Sequence, residues 1–129
     1  MGENAKEAIL AAAKKTAQAH GYGGLNFREL AAEVGLVGCT LEDVVPHAAK
    51  SYYDFDIAVA RIAAAVEAAE ALPFDFTICA RADGIMLGAY DLDEAIARLQ
   101  AYENVGAHCV YVPMPASMDD LAQICSSVS

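Results

Sequence analysis

The sequence predicts an α/β protein with a parallel sheet covered by helices. After residue 35, short apolar segments typical of strands alternate with longer segments in which apolar residues recur at helical spacing. Each strand-like segment is a nearly continuous apolar run, as in strands buried between two layers of helices. The order strand, helix, strand, helix, strand, helix is the pattern of parallel βα units.

Residues 1–35 predict a helical hairpin. The segment from Ala5 to about His20 has apolar residues on one helical face, and the turn GYGG follows it. Asn26 can cap a second short helix, which Gly35 ends.

The strands are predicted in LVGCTLE, DFTICARAD and AHCVYVP, with GIMLGAY as a loop after the second strand. The first helix of this part opens at Asp54 or Asp56, buries Val59, Ile62 and Val66, and is stopped by Pro73.

Two further helices follow. One is capped by Asp91, with Glu94 completing a capping box, and it buries Leu92, Ile96 and Leu99 before Gly106 ends it. The last is capped by Ser117 and runs to about Val128.

Length and composition indicate one packed domain. The chain has 129 residues, 57% of them hydrophobic, whereas a complete (β/α)8 barrel needs about 200 residues or more. Lysine, glutamate and arginine interrupt every alanine-rich run, so no segment offers the roughly 20 apolar residues of a membrane span. The N-terminal residues lack the order of a signal peptide, and we expect a cytoplasmic protein.

The net charge of −10 lies entirely in the second part of the chain. Residues 1–35 have as many basic as acidic side chains, while the remainder has 4 bases and 14 acids. A strongly acidic body repels phosphate backbones and argues against nucleic acid as a partner.

The cysteines and histidines form no metal motif. Cys39, Cys79, Cys109 and Cys125 contain no C-x-x-C pair, and no histidine lies at metal-ligand spacing from them. Three of the four lie in predicted strands, so we expect buried, reduced thiols. His47 and His108 are single histidines, to which we assign no catalytic role.

The residues from about Gly35 to Val128 resemble the isocitrate lyase and phosphoenolpyruvate mutase superfamily. The matching blocks are GLVGCTLED, YDFDIAVARIAAAVEAAEALPFDFTICARAD, YDLDEAIARLQAYENVGAHCVYVP and LAQICSSV. The resemblance implies a (β/α)8 barrel that binds Mg²⁺ and an enolate-like 2-oxo acid. Residues 36–129 would then be about half of a TIM-type (β/α) barrel with parallel strands.

By this resemblance, Glu42 would hold Mg²⁺ or its waters, Arg81 would bind the substrate carboxylate, and Asp83 would line the same mouth. Glu42 and Arg81, the two expected catalytic residues, end consecutive strands, so both should lie at one rim. The simpler alternatives are a polar strand end at Glu42 and Asp43, and a local ion pair between Arg81 and Asp83.

The chain also departs from the superfamily's pattern. The strands that bear the principal metal-binding aspartates are missing before this block, as are the last two barrel units. VVPHAAKSYYD stands in place of the Lys-Lys-Cys-Gly-His loop of several lyases. We therefore expect a fragment with weak activity or none, whose open sheet edges favour self-association.

The segment ILAAAKKTAQAHGYGGLNFRELAAEVG resembles the first two helices of a TetR-type repressor's DNA-binding domain. The recognition helix that should follow is missing. A competing alignment treats AHGYGG as the barrel family's Asn-Gly-Phe-Gly turn, which puts Ala17 where a metal-binding aspartate belongs. The first alignment suggests a natural fusion, a mis-assembled gene or an engineered chimera, joined near residues 34–36.

Three functions remain open from the sequence. The first is a fragment of a Mg²⁺-dependent lyase or mutase acting on a small carboxylate. The second is a DNA-binding regulator, which predicts salt-sensitive duplex binding by residues 5–35. The third is an α/β domain without a ligand.

Overall fold

A computed structural model describes Glu7, Ala11 and residues 33–45 and 51–129. Within this part lie the strands β1 (Gly38–Glu42), β2 (Thr77–Arg81) and β3 (Cys109–Tyr111), and the helices α1 (Phe55–Glu70), α2 (Gly84–Leu87), α3 (Leu92–Asn104) and α4 (Met118–Ser127). The predicted N-terminal hairpin, the cap at Asn26 and His47 lie outside the described residues, apart from Glu7 and Ala11.

The three strands form one parallel sheet in the order β1-β2-β3, which confirms the predicted class. Gly38 pairs with Thr77 and Glu42 with Arg81. Cys79 pairs with Cys109 on the other side of β2. Consecutive strands are thus neighbours connected by helices, as in a stretch of parallel βα barrel.

One face of the sheet packs against the helices and forms the core. Ile78, Ala80 and Ala82 follow one another on this face of β2 and its extension, and all three are buried. Ile62 and Val66 of α1 belong to the same buried cluster, as predicted. Burial of these apolar side chains is the main force that holds the layers together.

The opposite face of the sheet, which we call the open face, is uncovered by the described residues. Side chains alternate between the two faces of a strand, so the register aligns one row of residues across all three strands. The members of this row are Gly38, Thr40, Glu42, Thr77, Cys79, Arg81, Cys109 and Tyr111. In a closed barrel, this face would point inward.

The structure corrects the prediction of buried cysteines. All four thiols are free, but Cys109 and Cys125 are exposed, and Cys39 and Cys79 are only partly buried. The expectation assumed that both faces of the sheet are covered. Cys109 is exposed because β3 is the last strand of the described sheet and the Cys109 side chain lies on the open face.

The helix caps follow the sequence closely. The carboxylate of Asp91 accepts a hydrogen bond from the Glu94 N–H at 3.0 Å, and the Ser117 hydroxyl accepts one from the Asp120 N–H. The reciprocal half of the predicted capping box is not observed, because the Glu94 side chain instead accepts from Arg98.

Two local expectations were wrong. The segment predicted as a loop begins with the short helix α2, whose end is sealed by Gly88 at φ 64°. The three strands are also shorter than predicted, and β3 keeps three residues. Pro113 has no N–H to donate, so it cannot extend β3 as a paired strand.

None of the helices in the part of the chain that the structure describes is both long and apolar enough to cross a membrane.

Truncating a core side chain should show that the helix-covered face is the stabilising one. Leu99 on α3 is 1% exposed, and Leu99→Ala should lower the free energy of unfolding by about 2–5 kcal/mol. The matched control is Leu121→Ala on α4, where the side chain is 38% exposed and the loss should be much smaller. Urea denaturation measures both, and equal losses would contradict the assigned core.

Candidate active site

The candidate site lies where β1 and β2 end. Glu42 and Arg81 are the last residues of these strands and are paired in register. Asp43 follows Glu42 directly, and Asp83 lies two residues beyond Arg81. The structure therefore brings all three predicted site residues to one rim, at the end of a parallel sheet where ligands are commonly bound.

Arg81 is held from two sides by carboxylates. Its Nε donates to Asp83 Oδ1 at 3.0 Å and its Nη2 to Asp83 Oδ2 at 2.9 Å, a bidentate arrangement. Its Nη1 lies 3.2 Å from Glu42 Oε1. The hydrogen bonds to Asp83 raise the pKa of Arg81 further, against a smaller opposing effect of burial, so the guanidinium stays charged.

The accessibilities of these partners differ. The Asp83 side chain is 1% exposed, while those of Arg81 and Glu42 are 23% and 43% exposed. The ring of Tyr111 lies beside the guanidinium, with its centroid 5.5 Å from Arg81 Cζ. The alternative interpretation of Arg81 as a local ion pair is therefore observed in its geometry, although part of the guanidinium still faces solvent.

Asp43 is the buried centre of the rim. Its Oδ1 accepts a hydrogen bond from the Asp83 N–H at 2.8 Å. Its Oδ2 accepts a short hydrogen bond from the Tyr90 hydroxyl and a second from Arg98 Nη1 at 3.1 Å. One carboxylate thus joins the end of β1 to the segment after β2, to the turn before α3 and to α3 itself.

Arg98 is the cation that compensates the buried charge of Asp43. Both side chains are 1% exposed. Its Nε also donates to Glu94 Oε1 at 2.9 Å, and its Nη1 to the Tyr53 carbonyl at 3.0 Å. Burial lowers the pKa of Arg98, but hydrogen bonding outweighs that effect and the net pKa is raised, so the guanidinium keeps its charge.

Aromatic rings surround the Arg98 guanidinium. The centroids of Tyr90, Tyr52 and Phe55 lie 4.7, 5.4 and 5.7 Å from its Cζ. Rings at these distances stabilise a cation that has lost its water. Tyr52 precedes α1, Phe55 is its first residue and Tyr90 precedes α3, so the guanidinium anchors the starts of both helices.

Tyr90 reaches Asp43 because Gly84 leaves space for its ring. A Cβ on Gly84 would lie 2.0 Å from a ring carbon of Tyr90, which no packing adjustment of a few tenths of an ångström would relieve. Burial, followed by the hydrogen bond to Asp43, strongly raises the pKa of Tyr90. The phenol therefore remains protonated and donates to Asp43.

The loop after Asp43 returns to the rim. Val44 and Tyr52 form an antiparallel bridge, and the Tyr53 N–H donates to the Asp43 carbonyl at 2.8 Å. These contacts fix the two described ends of the segment between β1 and α1.

The sequence interpretation missed Arg98 and Tyr90. A detectable signal was present for Arg98, because it follows Ala95 by three residues and precedes Tyr102 by four, on the buried stripe of α3. A charged residue on such a stripe requires a buried partner. Tyr90 carried no comparable signal, since its position depends on the turn after α2.

His108 plays a structural role. Its Nδ1 accepts a hydrogen bond from the Ile78 N–H at 3.1 Å, at the end of the sheet opposite to the rim.

The rim residues do not fit a magnesium site by themselves. Among the described residues, no group of three or more His, Cys, Asp or Glu side chains is arranged to hold a metal ion. Asp43 and Asp83 are turned to arginines, and only Glu42 offers an accessible carboxylate. One carboxylate is fewer than most Mg²⁺ sites provide.

A parallel βα sheet whose charged residues meet at the carboxyl ends of its strands is the arrangement of parallel α/β proteins, (β/α) barrels among them, in which this rim usually carries the ligand site. The family model named phosphoenolpyruvate phosphomutase matches residues 7–129, and the chain belongs to that family. This bears out the resemblance to the phosphoenolpyruvate mutase and isocitrate lyase superfamily.

Similar proteins include several lyases. A protein of Corynebacterium glutamicum named "Probable 2-methylisocitrate lyase 2" is 35% identical over 102 residues, which are 74% of this chain and 32% of that protein. A structure from Burkholderia cenocepacia J2315, named a "putative lyase/mutase", is 35% identical with a TM-score of 0.74. The match covers 98% of this chain and 51% of that one.

A second similar structure is that of oxaloacetate acetylhydrolase in complex with the product oxalate. It is 28% identical with a TM-score of 0.68, and the match covers 79% of this chain and 35% of that one. The chain thus spans about a third to a half of the length of these relatives.

Removing either charge of the buried Asp43–Arg98 pair should destabilise the fold, and the two losses should be coupled. Arg98→Met leaves Asp43 charged and buried, and we expect a loss of about 3–5 kcal/mol in the free energy of unfolding. Asp43→Asn should cost less, because Arg98 keeps its ion pair with Glu94. The double variant should lose less than the sum, with a coupling of about 0.5–3 kcal/mol. Additive losses in urea denaturation would argue against a direct pair.

Proposed function

We propose that this chain is part of a lyase- or mutase-type barrel whose rim binds the carboxylate of a small 2-oxo acid or an enolate-like analogue through Arg81. The observation that carries the proposal is the asymmetric hold on Arg81. Buried Asp83 fixes Nε and Nη2, while Nη1 lies at the open face beside exposed Glu42. One edge of a rigid, permanently charged guanidinium is thereby directed to a position that a ligand can reach.

A substrate carboxylate would displace Glu42 and leave Asp83 in place. Glu42 makes one contact at 3.2 Å from a half-exposed side chain, so little free energy holds it there. Asp83 makes two shorter hydrogen bonds and is buried. The planar fork of arginine suits a carboxylate, and a positioned fork loses less entropy on binding than a mobile one.

The relatives support an acid as the ligand. The names of the similar proteins include 2-methylisocitrate lyase, 2,3-dimethylmalate lyase and oxaloacetate acetylhydrolase with bound oxalate. The compounds in these names, 2-methylisocitrate, 2,3-dimethylmalate, oxaloacetate and oxalate, are all small carboxylic acids. We extend this substrate class to the present chain, as binding with weak activity or none in this half of a barrel.

Members of this superfamily generally use Mg²⁺, which would polarise the substrate oxygens when bound. Because the described rim does not fit such a site, the binding step is assigned to Arg81 alone. A role for Glu42 as a metal ligand remains a prediction. The dependence of ligand binding on Mg²⁺ tests it, in the titration described next.

Calorimetric titration with oxalate, with and without Mg²⁺, tests the proposal. We expect saturable binding to the folded protein, reduced at least about tenfold by Arg81→Ala because the charged fork is lost. Arg81→Lys keeps the charge but removes the bidentate geometry, so it should restore binding only in part. Circular dichroism of each variant checks that it is folded.

Glu42→Gln separates the two roles of Glu42. If Glu42 only competes for Arg81, the variant should bind oxalate more tightly without metal. If Glu42 holds Mg²⁺, the variant should lose the enhancement that Mg²⁺ gives to the parent protein. Oxalate binding that is equal in the parent and in Arg81→Ala would overturn the assigned role of Arg81.

We propose that residues 7–35 belong to the same family unit as the rest of the chain. The family match begins at residue 7 and supports the alignment of AHGYGG with the barrel family's turn. The alternative, a TetR-like domain in residues 1–35, predicts salt-sensitive binding to duplex DNA. The net charge of −10 weighs against that alternative.

We also propose that copies of the chain associate through the sheet. Within the described residues β1 and β3 are edge strands, and Tyr111 on β3 is half exposed on the open face. Unpaired strand edges favour pairing with another chain.

Light scattering at increasing protein concentration should therefore give a mass above that of a single chain. Tyr111→Lys should lower that mass, because a charge on an edge strand opposes pairing. Met118→Lys, at an exposed position on α4 away from the sheet, is the matched control and should not change it. A constant monomer mass in the parent protein would contradict the proposal.

A further inference from the structure

Two cysteines on the open face are direct neighbours. Cys79 of β2 and Cys109 of β3 are paired in register, and their Sγ atoms lie 3.2 Å apart. Both thiols are free. Neither belongs to the rim proposed to bind substrate, and the family resemblance assigns no role to either residue.

The sheet already holds this pair near the geometry of a disulfide. Neighbouring strands lie about 4.7–4.9 Å apart, which falls within the Cα separation of about 4.4–6.8 Å that a disulfide requires. The sulfur atoms must approach from 3.2 Å to about 2.0 Å, a change that side-chain rotation and a small strand shift can supply. A disulfide between adjacent parallel strands would be strained and hence readily reduced.

The two thiols differ in access. Cys109 is exposed, whereas Cys79 is partly buried. Burial, together with the hydrogen bond to Cys109, raises the pKa of Cys79 to about 11. Cys109 is therefore the sulfur that an oxidant in solution meets first, and Cys79 is the neighbour that can react with its oxidised form.

We propose that Cys79 and Cys109 form a peroxide-reactive dithiol, which closes to a reversible disulfide between β2 and β3. Cys109 sulfur attacks one oxygen of a hydroperoxide, and the O–O bond breaks. With hydrogen peroxide, this gives a sulfenic acid on Cys109 and one water. Cys79 sulfur then attacks Cys109 sulfur, the S–O bond breaks, and hydroxide leaves with the Cys79 proton as a second water. The two thiols lose two electrons in total, and the peroxide gains them.

The remaining cysteines are internal controls. Cys39 is in register with Ile78, so its side chain lies on the helix-covered face of the sheet. Cys125 is exposed on α4. Exposure alone would predict oxidation at Cys109 and Cys125 alike, whereas a dithiol site predicts a specific bond between Cys79 and Cys109.

The test is mass spectrometry of the reduced, folded protein after brief exposure to hydrogen peroxide. We expect a species lighter by two hydrogen atoms, which dithiothreitol returns to the starting mass. Cleavage by trypsin alone leaves Cys109 and Cys125 in one peptide, since no Lys or Arg follows Arg98. A second protease that cleaves at Asp119 separates them and should reveal the Cys79–Cys109 link.

Variants and a denatured sample distinguish a Cys79–Cys109 pair that the fold holds together from random oxidation of cysteines. Cys125→Ser should form the bond as the parent does, whereas Cys79→Ser should gain oxygen at Cys109 without losing hydrogen. In guanidinium chloride, the yield of the link should fall about tenfold or more, because the effective concentration of the two thiols is lost. No link in the folded parent, or a link that forms equally well in denaturant, would overturn the proposal.

Discussion

The buried carboxylate of Asp43 is the interaction on which the rim depends. It accepts hydrogen bonds from the Asp83 backbone, from Tyr90 and from Arg98, which belong to three different parts of the chain. A charge at this depth is tolerable only while its partners remain, since an uncompensated buried ion is costly. The Asp43 environment therefore requires the segment after β2 and the start of α3 to keep the positions that the fold gives them.

The two arginines of the rim have different roles because Asp83 separates them. Arg98 neutralises Asp43 and is inaccessible, so it acts on the fold and not on a ligand. The Asp83 N–H donates a hydrogen bond to Asp43, and the Asp83 carboxylate accepts hydrogen bonds from Arg81. The position of the accessible arginine is thus set through a short series of contacts from the buried pair. The proposed carboxylate site would be preorganised by interactions that no ligand touches.

The sequence was sufficient for those features that local chemistry determines. Asp91 and Ser117 cap helices because a side-chain oxygen satisfies a free N–H, and this can be read directly from the residues. The meeting of Glu42 and Arg81 followed from the parallel order of the strands. The partnership of Asp43 with Tyr90 could not be read in the same way, because their 47-residue separation is bridged only by tertiary packing. Exposure of Cys109 was missed for a related reason, since apolar composition does not reveal whether a sheet face is covered.

The rim and the dithiol share the open face, and covering that face would affect them in opposite ways. Arg81 and Cys79 lie two residues apart on β2 and therefore face the same way. A closed barrel would cover this face with side chains from the remaining strands. Covering it would exclude water from around Arg81 and strengthen its attraction for a carboxylate. The same cover would block peroxide from Cys109. Ligand binding at the rim and oxidation of the dithiol would thus be favoured by different states of one surface, covered in the first case and open in the second.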